Sequence, residues 1–206
     1  MVIIGVCGAS GSGKSTLAEE LGREIGEQCT IIRHDCYYRN FSTLSFAQRC
    51  ELNYDEPVIF DHDLFLTDIQ TLLDGKPITR KAYNYALHLR EDTQDLIYPT
   101  DVLIVEGIHT FYDPRLCALM FLRLYMQVDP DICLLRRIAR DMNERGRSLD
   151  SVSSQYIATV KPMFDQHIRN YIEHADVIVA RGGKNARIVS IIASYIRETL
   201  HANKTI

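Results

Sequence analysis

No two of the six cysteines (Cys7, Cys29, Cys36, Cys50, Cys117, Cys133) form a Cys-x-x-Cys pair, and no Cys/His cluster has zinc spacing. Several of them lie within apolar runs, so reduced thiols are expected in place of disulfides or a structural metal. Long apolar runs are missing too: none approaches the length that crosses a bilayer. The N-terminus enters its first apolar run at once, with no basic region, signal peptide or cleavage site before it. A soluble, cytoplasmic protein with no membrane partner is therefore expected. Neither sign of charge dominates. The 23 Lys+Arg against 27 Asp+Glu leave a formal net charge of −4, which argues against broad binding to nucleic acid and leaves room for a local patch. No repeat, low-complexity segment or linker interrupts the chain, so residues 1–206 read as one domain with room for a substantial core.

What is present begins with Gly8-Ala9-Ser10-Gly11-Ser12-Gly13-Lys14-Ser15, a complete G-x-x-x-x-G-K-S/T phosphate loop. The apolar run Val2, Ile3, Ile4, Val6 precedes it, and Thr16-Leu17-Ala18-Glu19-Glu20-Leu21 follows with helical character. That strand–loop–helix setting is the one in which the motif works. Glycines let successive N–H groups turn inward around nucleotide phosphates, and the positive helix end adds attraction. Lys14 is expected to reach the outer phosphates, and the Ser15 hydroxyl to ligate Mg²⁺. A nucleoside triphosphate is the expected ligand.

The remaining periodicities give a fold. Thr30-Ile31-Ile32 reads as a short strand expected beside the first, leading into His34-Asp35. The segment from Cys36 to Asp61 reads mostly as loop. Leu64, Phe65, Ile69, Leu72 and Leu73 recur at helical spacing, stopped by Gly75 and Pro77. Ile78 to Tyr98 alternates as a surface hairpin, and Val102 to Val105 reads as a buried parallel strand. A short helix is expected at Asp113-Pro114, a strand over Leu122 to Val128, and a cationic helix over Pro130 to Arg145. One long helix from about Leu149 to Ile172, a strand at Val177-Ile178-Val179 and a helix from Ile188 to Leu200 complete the chain. This alternation predicts a doubly wound α/β fold with a parallel sheet, a hairpin insertion over about 76–100 and a helical arginine lid over about 136–155. Ligands in such sheets sit at the strands' carboxyl ends, where Gly8, Asp35 and Glu106 fall.

Phosphate loops serve kinases, GTPases and motors alike, so other residues must discriminate. Glu106, ending a buried strand, suits Mg²⁺ or its water shell; the plain alternative is an exposed loop acid. Asp35 could take the proton of an attacking hydroxyl, or could merely cap a turn. Arg137, Arg140, Arg145 and Arg147 could form a lid on developing phosphate charge. The plainer reading is a solvated cationic face, supported by the interleaved Asp141 and Glu144. Tyr83, Tyr85, His88 and Arg90 could form a slot for a flat base, although such a stripe is commonly a half-buried strand. Neither an N-K-x-D guanine reader nor a D-x-x-G loop occurs, which disfavours a GTP switch.

Taken together, G-A-S-G-S-G-K-S-T, H-D-C-Y-Y, N-Y-D-E-P, A-Y-N-Y-A-L-H, V-E-G-I and R-R-I-A-R-D-M-N-E-R-G-R with the later S-Q-Y resemble the uridine kinase (uridine–cytidine kinase) family, from Val2 to about Asn185. The resemblance implies a nucleoside-kinase-like fold and ATP- and Mg²⁺-dependent phosphorylation of a pyrimidine nucleoside at its 5′-hydroxyl. Gly8 to Thr16 would hold the nucleotide, with Ser15 and Glu106 at the metal. Asp35 matches the catalytic base, and Lys14, Arg140 and Arg145 the groups on the triphosphate. Asp55 and Arg137 match residues that hold the ribose, Tyr83 and His88 those that read the pyrimidine edge. Tyr38, Tyr54 and Tyr85 match the aromatic walls, and Arg147 and Gln155 further nucleoside contacts. A homo-oligomer, commonly a tetramer, is implied by the same resemblance. The chain departs from the pattern at Glu56, Val58-Ile59, Lys81-Ala82 and Asn84, none of them given chemistry above. A related phosphate-loop kinase acting on a phosphorylated sugar, such as a phosphoribulokinase, is the alternative, and it would need a cationic acceptor pocket.

Overall fold

Five apolar runs form one parallel sheet in the computed structural model, which describes residues 1–204; Thr205 and Ile206, at the end of the expected 1–206 span, lie outside the described residues. The strands are β1 (Val2–Gly8), β2 (Cys29–Arg33), β5 (Val102–Glu106), β6 (Leu122–Gln127) and β7 (Val177–Ala180), with the separate antiparallel hairpin β3 (Ile78–Asn84) and β4 (Leu89–Ile97). Their order is β2-β5-β1-β6-β7. The expectation that the second strand lies beside the first is therefore corrected: β5 stands between them, pairing Val6 with Glu106 on one side and Arg33 with Glu106 on the other. Burial explains the order. Every residue of β1 and β5 is buried, so both need neighbours on two sides and helices on two faces, whereas β2 and β7 keep exposed residues and close the edges.

Helices cover both faces. On one, Leu17, Ala18 and Leu21 of α1 (Lys14–Ile25) and Ile192, Ala193 and Ile196 of α8 (Ala186–Lys204) pack on Ile4, Val6 and Ile104. On the other, Phe65, Ile69 and Leu72 of α3 (His62–Leu73) pack on Ile3, Leu103 and Val105. The doubly wound α/β architecture is thus observed. Between β2 and α3 the chain makes a 3-10 turn (His34–Tyr37), the short α2 (Phe46–Cys50) under a Ser45/Gln48 capping box, and a second 3-10 turn (Pro57–Ile59). Asp113 caps α4 (Pro114–Cys117), and α5 (Pro130–Arg145) ends on Gly146 in the left-handed region, φ 63°.

The single long helix expected from Leu149 to Ile172 is the second correction. It is broken into α6 (Leu149–Gln155), a π turn (Tyr156–Val160), α7 (Lys161–Gln166) and a 3-10 stretch (Ile168–His174). Pro162 is the physical cause of the π turn: it has no N–H and would clash with the carbonyl four residues back, so the path widens just before it, whereas the change to 3-10 winding comes later, at His167 (φ −122°). All six cysteines are free. Among the described residues no helix is long and apolar enough to cross a membrane.

Candidate active site

The phosphate loop runs from the end of β1 to the first turn of α1, and three of its glycines carry positive φ (Gly8 144°, Gly11 83°, Gly13 94°). Space demands glycine as well: a Cβ on Gly11 would run into the Cys133 carbonyl, and one on Gly13 would come within 3.1 Å of Gly183 N. Ser12 is fully buried with its hydroxyl unpartnered, and Ala9 O accepts from Lys14 Nζ at 2.9 Å. Thr16 faces Gly183 of the 181–185 turn. Burial pushes the Lys14 ammonium below its usual range, against the pull of Glu106. Burial likewise raises the Glu106 carboxyl, against the pull of Lys14. Each is the other's counter-charge, and an arriving polyanion would replace Glu106 as partner of the lysine.

Glu106 and Ser15 meet directly: Ser15 Oγ donates to Glu106 Oε1 at 2.8 Å. Two hard oxygens, one at the tip of β5 and one in the first turn of α1, suit Mg²⁺, which takes one or two protein oxygens and completes its shell with phosphate and water. Among the described residues no group of three His, Cys, Asp or Glu side chains could hold a metal by itself.

Asp35 lies in the 3-10 turn after β2, not on the strand itself. The Tyr85 hydroxyl donates to its Oδ2, while Oδ1 is buried without a partner. Tyr85 is gripped from the other side, with the Arg145 guanidinium 4.0 Å over its ring. The aromatic residues form a continuous set. Tyr38 lies 4.7 Å from Tyr83 and 5.3 Å from Tyr54, and Tyr54 stacks on His88 at 4.8 Å. Burial, then Arg147 and Arg49, depress the His88 imidazole. His88 stands at the hairpin tip with φ 51°, in a turn where Asn84 Oδ1 accepts from the N–H groups of Ala86 and Leu87.

Asp55 faces this set from below. Its Oδ2 accepts from Thr159 Oγ1 at 3.1 Å, and Arg137 Nη1 stands 3.8 Å from its Oδ1. Arg137 also donates to Ser10 Oγ at 2.9 Å and Gln155 Oε1 at 3.0 Å, and Arg147 donates to the same Gln155 oxygen. One arginine therefore touches the phosphate loop, the acidic loop and the helical lid. Arg140 and Arg145 reach Asp141 at 2.7 and 3.3 Å. The reading of this helix as a solvated cationic face is overturned at Asp141, which is fully buried; of the two interleaved acids it is Glu144 that is exposed.

Three residues at the site were given no role by the motifs. Arg49 donates through Nε to Leu87 O at 3.0 Å and through Nη1 to Leu44 O, fixing the hairpin tip to α2. His109 bonds Asp55 O through Nε2 at 2.7 Å and the Tyr171 hydroxyl through Nδ1 at 2.9 Å. A carbonyl can only accept, so Nε2 carries the proton and Nδ1 accepts; burial holds the imidazole neutral, pushed down to about 3. Asp141 is the third, and its i, i+4 spacing from Arg137 and to Arg145 was the available signal. Arg49 and His109 offered none.

The Phosphoribulokinase / Uridine kinase family matches residues 3–187. A uridine kinase of Vibrio atlanticus is 43% identical over 204 residues, covering 97% of this chain and 96% of that protein. The uridine kinase of Bacillus subtilis is 40% identical over 203 residues, covering 98% and 96%. In fold, the phosphoribulokinase of Rhodobacter spheroides superposes with a TM-score of 0.65 at 16% identity, over 87% of this chain and 69% of that one. The phosphate loop, the strand order and these matches agree, and the chain belongs to the phosphoribulokinase/uridine kinase family.

Proposed function

We propose that this chain is a nucleoside kinase that transfers the γ-phosphoryl group of ATP to the 5′-hydroxyl of uridine or cytidine, giving ADP and UMP or CMP. The observation that carries it is the pairing of a phosphate loop with an acceptor side built of stacked rings and one half-satisfied carboxylate. Asp35 Oδ1, buried and unpartnered, would accept the proton of the 5′-hydroxyl as its oxygen attacks phosphorus. Asp55 and Arg137 would hold the ribose hydroxyls, with Arg147 and Gln155 beside them. Tyr83 and His88 would read the pyrimidine edge between Tyr38, Tyr54 and Tyr85. Lys14, Arg140 and Arg145 would neutralise charge developing on the transferred group, and the glycine-rich loop would grip the remaining phosphates.

Ser15 and Glu106 would hold Mg²⁺, which when bound neutralises phosphate charge and aligns the triphosphate. Buried side chains around the base keep water from competing for the phosphoryl group. The alternative acceptor, a phosphorylated sugar, needs free cations near Asp35. Arg90, a cation that such an acceptor could use, is instead engaged by Asp61 at 3.3 Å. The relatives at 40% identity or more, named uridine kinases, weigh the same way. A cytoplasmic location and a homo-oligomer, tetrameric as is common in the family, complete the reading. Exposed Phe121 and Tyr195, stacked at 5.7 Å with Ile191 one turn away, give such an assembly apolar surface.

Purified protein with ATP, Mg²⁺ and either nucleoside should yield the 5′-monophosphate, identified by mass. ADP formed only with a sugar phosphate, or with neither nucleoside, would sink the proposal. Light scattering of the same sample reads the assembly.

A further inference from the structure

Four guanidinium groups converge on one carboxylate in the lid, and they do so in two pairs. Asp141 Oδ1 takes Arg140, through Nη2 at 2.7 Å and Nε at 2.9 Å, and Arg145 Nη1 at 3.3 Å. Asp141 Oδ2 faces Arg137 Nε at 3.6 Å and Arg147 Nη1 at 3.8 Å. The first pair is the one assigned above to the triphosphate, and the second the one assigned to the nucleoside. The carboxylate is fully buried and accepts no close hydrogen bond at Oδ2. It also anchors the lid's turn, since its backbone carbonyl receives the N–H groups of Gly146 and Arg147.

We infer that Asp141 is a positioning residue that couples the two substrate subsites by acting as the shared counter-ion of both arginine pairs. The inference rests on the nucleoside kinase reading and deepens it. The physics is competition for one charge. Before substrates arrive, Arg140 and Arg145 hold the nearer contacts, and Arg137 and Arg147 stand at ion-pair distance only. Phosphate oxygens, carrying more charge than one carboxylate, draw the first pair away. The freed carboxylate then holds the second pair more closely, and a fixed Arg137 presents itself to the ribose alongside Asp55. Because linkage is reciprocal, nucleoside binding must favour the triphosphate by the same factor.

The test is a pair of titrations on the full chain. The affinity for uridine is measured by calorimetry with and without a non-hydrolysable ATP analogue and Mg²⁺, and the analogue's affinity with and without uridine. The native protein should show each ligand tightening the other by at least about 5-fold, the low end of ordinary coupling factors. Asp141→Asn keeps the shape and removes the charge. It should bring the factor to within about 2-fold of one, leave the analogue's own affinity equal or tighter, and lower kcat/KM for uridine more than for ATP. Independent binding in the native protein, or coupling retained in Asp141→Asn, overturns the inference. Should Asp141→Asn show no cooperative melt, Asp141→Ser replaces it. That variant also removes the charge and leaves room for water beside the arginines, and an unchanged coupling factor in it would equally overturn the inference. Failure of uridine and cytidine to bind at all would count against the nucleoside kinase reading, whereas binding without coupling counts only against Asp141.

Discussion

At Asp35 the two carboxylate oxygens live in different surroundings: one is held by the Tyr85 hydroxyl and the other is buried and open to a partner. A buried acceptor without a donor is costly, so a substrate hydroxyl arriving there gains a bond and relieves an unsatisfied group together. Asp35→Asn should therefore lower kcat by about 10²- to 10⁴-fold, the range of a lost general base. Affinity for ATP should stay within about twofold, since Lys14 donates to Ala9 O while Asp35 accepts from Tyr85, and Asp35 is the least of the charges acting on Lys14. A stopped-flow or steady-state comparison of the two proteins checks it, and an unchanged kcat would remove Asp35 from the chemistry. Residues of this kind were legible because a motif names them. Asp141 was half legible: its spacing within the helix was visible, but its burial depends on Ser10, Asp55 and Gln155 folding back on the same arginines, and those lie far off in sequence.

At the scale of elements, the hairpin β3–β4 and the broken helix after Gly146 would carry the proposed acceptor side, and both are held by bonds that local periodicity does not encode. Arg49 is the clearest case. Its guanidinium, nearly buried, fixes the carbonyl of Leu87 and thereby sets where His88 stands. Arg49→Met keeps the aliphatic stem and loses those bonds. KM for the nucleoside should rise by about tenfold, corresponding to hydrogen bonds from a charged donor worth about 1.5 kcal/mol. KM for ATP should move by less than about twofold, so steady-state kinetics with each substrate varied in turn separates the hairpin from the phosphate loop. Most element boundaries followed from punctuation: Pro130 and Gly146 bracket α5, and Asp113-Pro114 opens α4. Leu149 to Ile172 misled because its apolar spacing continues through Pro162, while the backbone changes pitch to admit that residue.

For the whole molecule, the buried histidines set a pH limit. His34 has both ring nitrogens unpartnered, and burial drives its imidazole well below the usual range; His109 is pushed down to about 3. In the unfolded chain both would take up protons near pH 6.5, the ordinary histidine value. The unfolded state then binds more protons than the folded one, so stability rises with pH. It is complete above pH 6.5 and is lost as pH falls from there toward the folded-state values. Each histidine contributes a slope of up to about 1.4 kcal/mol per pH unit. Urea unfolding at a series of pH values from neutral to mildly acidic should show that decline, and His109→Leu should flatten it by one histidine's share. Equal slopes in the two proteins would show that His109 takes up a proton within the fold. The strand order is the other property of the whole that single elements could not reveal. Since β5 separates β1 from β2, the strands leading into the phosphate loop and into the Asp35 turn stand two strand spacings apart, about 10 Å, with Glu106 on the strand between. The ruler for the transfer is thus the peptide ladder itself, a gauge block that repacking of side chains cannot lengthen or shorten.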